Sequence, residues 1–115
     1  MCGIFALLNS SGINNDKIEK LFIKGKSRGP ENSTFVTSYP NINIGFHRLA
    51  INGLNVESNQ PIIIDGVVLI CNGEIYNYQE LYKAMPSVTP KTESDCEVII
   101  HLYLKYGFQQ TLQMR

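Results

Sequence analysis

The chain has 115 residues, of which 43% are hydrophobic and 17% charged, and its formal net charge is zero. This length allows one small domain or a part of a larger one, and the composition is globular rather than disordered. A net charge of zero gives no sequence-wide attraction to nucleic acid or to an anionic membrane. The longest apolar stretches, 61–64 and 67–71, are far shorter than a bilayer span. We therefore expect a soluble protein with neither kind of partner.

The cysteines are odd in number and lack paired spacing, which argues against a disulfide framework and a zinc site. The N-terminus has no basic segment ahead of its apolar residues, as a secretory signal would have. The sequence therefore predicts a cytoplasmic protein with no metal site.

The N-terminal segment is predicted to be a buried strand, because residues 2–8 are apolar and a polar turn follows them. Asp16 and Glu19 then fit a capping box, which predicts the start of a helix. The apolar positions of this helix recur at helical spacing until Gly25: Ile18, Leu21 and Phe22.

Two hairpins are predicted in the middle of the chain. Residues 34–39 and 42–47 flank a turn at 40–41, and residues 62–64 and 67–71 flank Asp65-Gly66. An Asp-Gly pair between β-branched runs is the strongest short-range hairpin signal.

Helices are predicted after the hairpins. Asn77 is expected to cap a short helix, and Ser94 with Glu97 fits a capping box at the start of a longer helix, 95–106, which Gly107 ends. The apolar stripe of the longer helix is Ile99, Leu102, Tyr103 and Tyr106. Hairpins and helices without regular βαβ alternation predict an α+β fold with mainly antiparallel sheets.

The start of the chain, Met1-Cys2-Gly3, carries the clearest chemical signal. Removal of Met1 would leave Cys2 with a free α-amine beside its thiol, so that one residue could supply both a nucleophile and its base. Taken alone, a cysteine at this position is more often a small buried side chain.

Cys2 belongs to the first of six short motifs that follow one another along the chain. They are Cys2-Gly3-Ile4-Phe5, Arg28-Gly29-Pro30-Glu31, His47-Arg48-Leu49-Ala50-Ile51, Asn59-Gln60-Pro61, Asn72-Gly73-Glu74-Ile75-Tyr76-Asn77 and Ser94-Asp95-Cys96-Glu97. Their order and spacing resemble those of class II glutamine amidotransferase domains, most closely the N-terminal domain of glutamine-dependent asparagine synthetases. The resemblance implies an N-terminal-nucleophile (Ntn) hydrolase with an αββα sandwich, which hydrolyses glutamine to glutamate and ammonia.

The resemblance also implies a role for each residue of the site. Cys2 would form a γ-glutamyl thioester, and Asn72 and Gly73 would stabilise the oxyanion. Arg48 would bind the α-carboxylate of glutamine. Glu74 and Asp95 would bind its α-ammonium group. The backbone after Arg48 would receive the substrate amide, through Leu49, Ile51 and Asn52.

Two histidines are left outside this chemistry, because the α-amine would act as the base. His47 is assigned to structure and His101 to the solvated side of the long helix. Two positions depart from the family pattern: Glu31 stands where aspartate is more usual, and Ser58 where glycine is common.

The resemblance covers the chain from residue 2 to about Gly107. Residues 2–115 are interpreted as the N-terminal part of the amidotransferase domain, incomplete at its C-terminus. The synthetase domain is expected elsewhere, with its ATP and magnesium, so no cofactor is expected in this chain. The partners are L-glutamine and a synthetase domain or chain that receives the ammonia. Strands without neighbours would leave apolar residues such as Ile62 and Ile64 uncovered.

Two alternatives remain open. The chain could be the amidotransferase domain of another class II enzyme, such as one that feeds sugar-phosphate or purine synthesis. It could also be a degenerate, non-catalytic module that binds glutamine or a partner chain.

Overall fold

A computed structural model describes residues 2–49 and 56–114. These residues form two compact units: the first contains 2–49, 59–61 and 70–72, and the second contains 56–58, 62–69 and 73–114. The strands are β1 (Gly3–Leu8), β2 (Asn32–Tyr39), β3 (Ile42–Arg48), β4 (Ile62–Ile64) and β5 (Val67–Leu69). The helices are α1 (Asn15–Ile23), α2 (Tyr78–Lys83), α3 (Val98–Tyr106) and α4 (Phe108–Met114), with short 3₁₀ turns at Lys26–Arg28, Val56–Ser58 and Asp95–Glu97.

The first unit is built on an antiparallel sheet in the order β1, β3, β2. The hairpin of β2 and β3 confirms the prediction for this segment. Strand β1 lies at the edge, and alternate residues point to opposite faces of the sheet. Ile4 and Leu8 are 54% and 63% exposed, whereas Phe5 and Leu7 on the other face are half-buried. The prediction of a buried first strand is therefore wrong for one of its faces.

Helix α1 covers one face of this sheet through the ring of Phe22. A Cβ atom on Gly45 would overlap that ring, so the ring lies directly on the backbone of β3. Phe22 also stacks on Phe35 and His47, with ring centroids 4.8 Å and 4.2 Å apart. The missing side chain at Gly45 therefore lets the helix approach the strand that ends at Arg48.

The start of α1 differs from the prediction. Asn14 is the N-cap, and its side-chain oxygen accepts hydrogen bonds from the backbone N–H groups of Asp16 at 2.7 Å and Lys17 at 3.3 Å. The capping role predicted for Asp16 is wrong. Asp16 instead lies in the first turn, where its negative charge interacts favourably with the positive end of the helix dipole.

In the second unit, β4 and β5 form the predicted antiparallel hairpin, with Ile63 opposite Val68. Asp65 and Gly66 have φ angles of 50° and 78°. Such positive values are required by a two-residue type I′ turn, and this confirms the turn. Strand β5 ends at Leu69, two residues earlier than predicted.

Helix α3 is buried on two sides, which explains why its predicted apolar stripe is partly wrong. One side packs against the hairpin, where Ile100 contacts Ile62 and Ile64, and these two residues are only 4% and 5% exposed. The expectation that they lack partners is therefore wrong. The other side belongs to a cluster with α2 that contains Leu81, Met85, Val98 and Leu102. Tyr103, predicted to be part of the stripe, is 43% exposed.

The ends of the later helices agree in part with the predictions. Gly107 ends α3 with a φ of 83°, as predicted. Asn77 is the N-cap residue of α2, but its side chain makes no capping hydrogen bond and donates instead to the backbone oxygen of Met114 at 3.5 Å. Helix α4 was not predicted. Helices beside antiparallel strands confirm the α+β class for the described residues.

Among the residues that the structure describes, no helix is both long enough and apolar enough to cross a membrane.

Candidate active site

Cys2 lies directly before β1, and the register of the sheet brings it to the end of β3. Gly3 pairs with His47 in an antiparallel sense, so the preceding residue lies beside the residues that follow His47. The backbone N–H of Leu49 donates to the Cys2 sulfur at 3.3 Å, and the thiol donates to the Leu49 oxygen at 3.5 Å. The backbone of Leu49 therefore fixes the direction of the predicted nucleophile.

The motif at 28–31 supports the same end of β3. A Cβ atom on Gly29 would overlap the His47 carbonyl group and crowd Arg48, so only a glycine fits this close approach. Two residues later, the backbone N–H of Glu31 donates to the Arg48 oxygen at 3.1 Å. The glycine of this motif is therefore explained by the close packing of the 28–31 backbone against the end of β3.

Arg48 is only 6% exposed, and its guanidinium group donates a hydrogen bond to the side-chain oxygen of Asn59. The preceding His47 agrees with the structural role predicted for it. Its Nε2 donates to the Phe22 carbonyl at 2.8 Å, since a carbonyl can only accept, and its Nδ1 lies 2.7 Å from the Ser33 hydroxyl. These contacts fix the strand residue immediately before the predicted carboxylate-binding arginine.

Gln60 holds the segment that leads to Asn72. The Gln60 side chain is buried, and its oxygen accepts from the Cys71 N–H at 2.6 Å while its NH₂ group donates to the Cys71 carbonyl at 3.1 Å. The Gln60 side chain therefore bonds both backbone groups of Cys71, as a neighbouring strand would. The exposed Asn72 follows directly after this residue. The sequence motif contained Gln60, but no role had been predicted for it.

In the second unit, Asp95 lies against the segment that carries Glu74. Asp95 is 7% exposed, and its carboxylate accepts the backbone N–H of Ile75 at 2.5 Å. The next residue, Cys96, places its thiol 3.6 Å from the Gly73 carbonyl. These two contacts bring the segment 73–75 together with residues 95–96. Glu74 itself is exposed.

The two departures from the family pattern are both accommodated. Ser58 is 4% exposed, and its hydroxyl accepts the backbone N–H of Glu93 at 3.1 Å, a bond that a glycine could not make. The contact of Glu31 with Arg48 uses main-chain atoms, which any residue supplies.

Glu97 and His101 form a buried pair that the sequence analysis missed. Glu97 is 0% and His101 8% exposed, and the Nε2 of His101 donates to the Glu97 carboxylate at 2.6 Å. The solvated position predicted for His101 is wrong, and the capping role predicted for Glu97 is wrong too. The i,i+4 spacing of an acid and a histidine was the signal that could have indicated this pair.

The surroundings of Glu97 shift the pKa values of two groups, Glu97 itself and Tyr82. Burial acts to raise the pKa of the Glu97 carboxyl, but hydrogen bonds from His101, Lys91 and Thr92 outweigh it and hold this pKa below its usual value. Burial, followed by the charge of Glu97, raises the pKa of the nearby Tyr82 hydroxyl. These directions indicate an ionised carboxylate at the centre of this cluster at neutral pH.

The structure thus brings Cys2, Leu49 and Arg48 together within the first unit, and Glu74 with Asp95 within the second. Asn72 belongs to the first unit and Gly73 to the second, and both are exposed. Ile51 and Asn52, the other predicted amide-binding positions, lie outside the described residues.

Residues 1–115 match the family model for the glutamine amidotransferase domain. Similar relatives include asparagine synthetase [glutamine-hydrolyzing] 2 of Bacillus subtilis (strain 168), which is 34% identical over 114 residues. Asparagine synthetase [glutamine-hydrolyzing] of Sandersonia aurantiaca is 38% identical over 112 residues. Asparagine synthetase [glutamine-hydrolyzing] 1 of Arabidopsis thaliana is 37% identical over 112 residues.

Each of these alignments covers 93% of this chain but only 15%, 21% and 19% of the respective relative, so the chain spans about a fifth or less of their length. A family match over residues 1–115 and a cysteine directly before the first strand lead to one conclusion. The chain belongs to the glutamine amidotransferase domain family.

Proposed function

We propose that this chain carries out the glutamine-hydrolysing half-reaction of asparagine synthesis, in which glutamine yields glutamate and ammonia. The observation that carries the proposal is the contact between the Cys2 sulfur and the Leu49 backbone at the end of β3. The names of the relatives support the reaction, since they are glutamine-hydrolysing asparagine synthetases.

The proposed reaction begins once removal of Met1 has freed the α-amine of Cys2. The amine takes the thiol proton, and the sulfur attacks the side-chain amide carbon of glutamine. The carbon–nitrogen bond then breaks, and the amine returns the proton to the departing nitrogen as ammonia leaves. Water attacks the resulting thioester, which releases glutamate and restores the thiol. Cys2 therefore supplies both nucleophile and proton carrier.

The negative oxygen of each tetrahedral intermediate needs fixed hydrogen-bond donors. We assign this role to the side-chain amide of Asn72 and the backbone N–H of Gly73. The bonds from Gln60 to both backbone groups of Cys71 support the assignment, because they fix the main chain one residue before Asn72.

Recognition of glutamine requires partners for the two charged groups on its α-carbon, the carboxylate and the ammonium group. We assign its α-carboxylate to Arg48, whose planar group can bind two oxygens at once, and its α-ammonium group to Glu74 and Asp95. The contact of Asp95 with the Ile75 N–H supports a shared ammonium site, because it holds Asp95 beside the residue that follows Glu74. The backbone of Leu49, together with Ile51 and Asn52, is assigned to the substrate amide.

The wider setting is also a proposal. We infer an Ntn-hydrolase αββα sandwich, of which residues 2–115 form the N-terminal part. A synthetase domain or chain would receive the ammonia in the cytoplasm and would bind the ATP and magnesium. The small share of each relative that the chain covers is consistent with such a partner.

The proposal is tested by incubating the protein with glutamine and measuring glutamate and ammonia, with intact mass to establish whether Met1 is removed. Equal amounts of the two products, from a protein that begins at Cys2, are expected. Glutamine binding without product would favour the non-catalytic alternative. A protein that retains Met1 and still hydrolyses glutamine at full rate would overturn the role of the α-amine.

A further inference from the structure

The carboxylate of Glu97 is the centre of a buried network in the second unit. It accepts the backbone N–H of Lys91 at 2.9 Å and 3.1 Å, through its two oxygens, and the backbone N–H of Thr92 at 2.6 Å. His101 donates a further hydrogen bond from one turn along α3. Glu97 is fully buried, so these groups take the place of water around its charge.

The donors in this network explain why a carboxylate is needed. The groups that bond to Glu97 are donors, namely the N–H groups of Lys91, Thr92 and His101 and the Thr92 hydroxyl, and an ionised carboxylate is a pure acceptor. A glutamine at this position would be nearly the same size. Its NH₂ group, however, would replace one of the two oxygens that accept the Lys91 N–H, and the oxygen that remains would carry no charge, so its hydrogen bonds would be weaker. The substitution should therefore loosen the segment 91–92 without opening a cavity.

The segment that Glu97 holds leads directly to Asp95. The Thr92 hydroxyl accepts the N–H of Ser94 at 3.1 Å, and the Ser94 hydroxyl accepts the N–H of Cys96 at 3.2 Å. Asp95 lies between these two bonded residues. A continuous series of hydrogen bonds therefore runs from the Glu97 carboxylate to the backbone on both sides of Asp95.

Tyr82 is the titratable side chain that faces this network from α2. Its ring centroid lies 5.9 Å from that of His101, and the charge of Glu97 contributes to the raised pKa of its hydroxyl. The groups around Glu97 therefore include His101 on α3, Tyr82 on α2, the backbone of residues 91–92 and the Thr92 hydroxyl.

We propose that Glu97 and His101 are positioning residues for the ammonium-binding part of the glutamine site, acting on Asp95 through residues 91–94. This inference rests on the proposed function, because Asp95 is assigned there to the α-ammonium group. Neither residue touches the substrate. Their loss should weaken recognition of glutamine and leave the chemistry at Cys2 unchanged.

The test compares the parent with Glu97→Gln in steady-state glutamine hydrolysis, and measures the rate at which iodoacetamide alkylates Cys2. Iodoacetamide carries no ammonium group, so its rate reports on Cys2 alone. We expect KM for glutamine to rise about tenfold, the size expected from the loss of roughly one hydrogen bond to a charged group. Both kcat and the alkylation rate should match the parent. Glu93→Gln, which neutralises an exposed acid in the same segment, is the matched control and should keep the parent KM.

A second pair of variants keeps the test valid if Glu97→Gln fails to fold. In His101→Gln the amide nitrogen can replace the Nε2 donor, whereas in His101→Leu no donor remains. We expect the leucine variant to raise KM and the glutamine variant to restore it towards the parent value. An unchanged KM in the leucine variant, or equal losses in KM, kcat and alkylation rate, would overturn the positioning role. A parent protein that does not hydrolyse glutamine would instead refute the proposed function.

Discussion

The two compact units hold their candidate site residues by different means. In the first unit, main-chain geometry places Cys2, because strand register and the Leu49 backbone determine where its sulfur lies. In the second unit, side chains place Asp95, because the Glu97 carboxylate organises the segment before it. Main-chain placement depends little on the identity of neighbouring side chains. Placement by a buried carboxylate depends on its charge, and therefore on single substitutions and on pH.

The largest effect is expected at the first unit, where one atom carries the chemistry. Cys2→Ala should abolish glutamine hydrolysis but leave glutamine binding largely intact, since recognition is assigned to Arg48, Glu74 and Asp95. Hydrolysis is measured as glutamate release and binding by titration calorimetry. Cys71→Ala is the matched control and should remain active. Ammonia release at the parent rate by Cys2→Ala would refute the nucleophile assignment.

The next effect separates transition-state stabilisation from substrate recognition. Asn72→Ala should lower kcat with little change in KM, because loss of one oxyanion donor typically costs about 3 to 4 kcal/mol of transition-state stabilisation. Arg48→Lys should mainly raise KM, because a point charge replaces a two-pronged donor. Steady-state kinetics on glutamine checks both variants. If the two effects are exchanged, the two roles have been assigned the wrong way round.

A smaller effect is expected where the first unit does rely on a side chain. Gln60→Leu removes both hydrogen bonds to the Cys71 backbone and should lower kcat roughly tenfold by displacing Asn72. The double variant with Asn72→Ala provides the control. If Gln60 acts through Asn72, Gln60→Leu should have almost no further effect in that background. Additive losses would show that Gln60 acts independently of Asn72 and would contradict its proposed positioning role.

The smallest expected effect is the pH dependence of stability in the second unit. Burial acts to raise the pKa of Glu97, but its hydrogen bonds lower it overall. The stabilisation from this group is therefore present above the ordinary glutamate pKa of about 4.3 and is lost as the pH falls through the folded value. Urea unfolding should show the parent more stable than Glu97→Gln at neutral pH, with the difference shrinking in acid. A difference that stays constant down to pH 3 would contradict this assignment.

Local sequence signals predicted most elements of the fold. The Asp65-Gly66 turn and the end of α3 at Gly107 depend on positive φ angles that few residues adopt, so residue type alone indicated them. The register that brings Cys2 to Leu49 could not be obtained in this way. It depends on pairing between strands that are more than thirty residues apart in the chain.

The errors have a common physical origin in tertiary packing. A single apolar stripe was predicted for α3, but the helix is covered by the hairpin on one side and by α2 on the other. The same coverage buries His101, which a one-sided helix would expose. Glu97 fits a capping-box pattern, yet its carboxylate accepts the N–H groups of residues 91–92, whereas the Ser94 N–H that it would cap donates to the Thr92 hydroxyl.

The central claim is that Cys2 is the nucleophile of a glutamine-hydrolysing site. Its most direct test is to quench the protein with acid during turnover of glutamine and to determine the mass of the N-terminal peptide. We expect a γ-glutamyl adduct on Cys2 that hydroxylamine removes, with Cys71 and Cys96 unmodified. Glutamine turnover with no adduct on Cys2, or with an adduct on another residue, would contradict it.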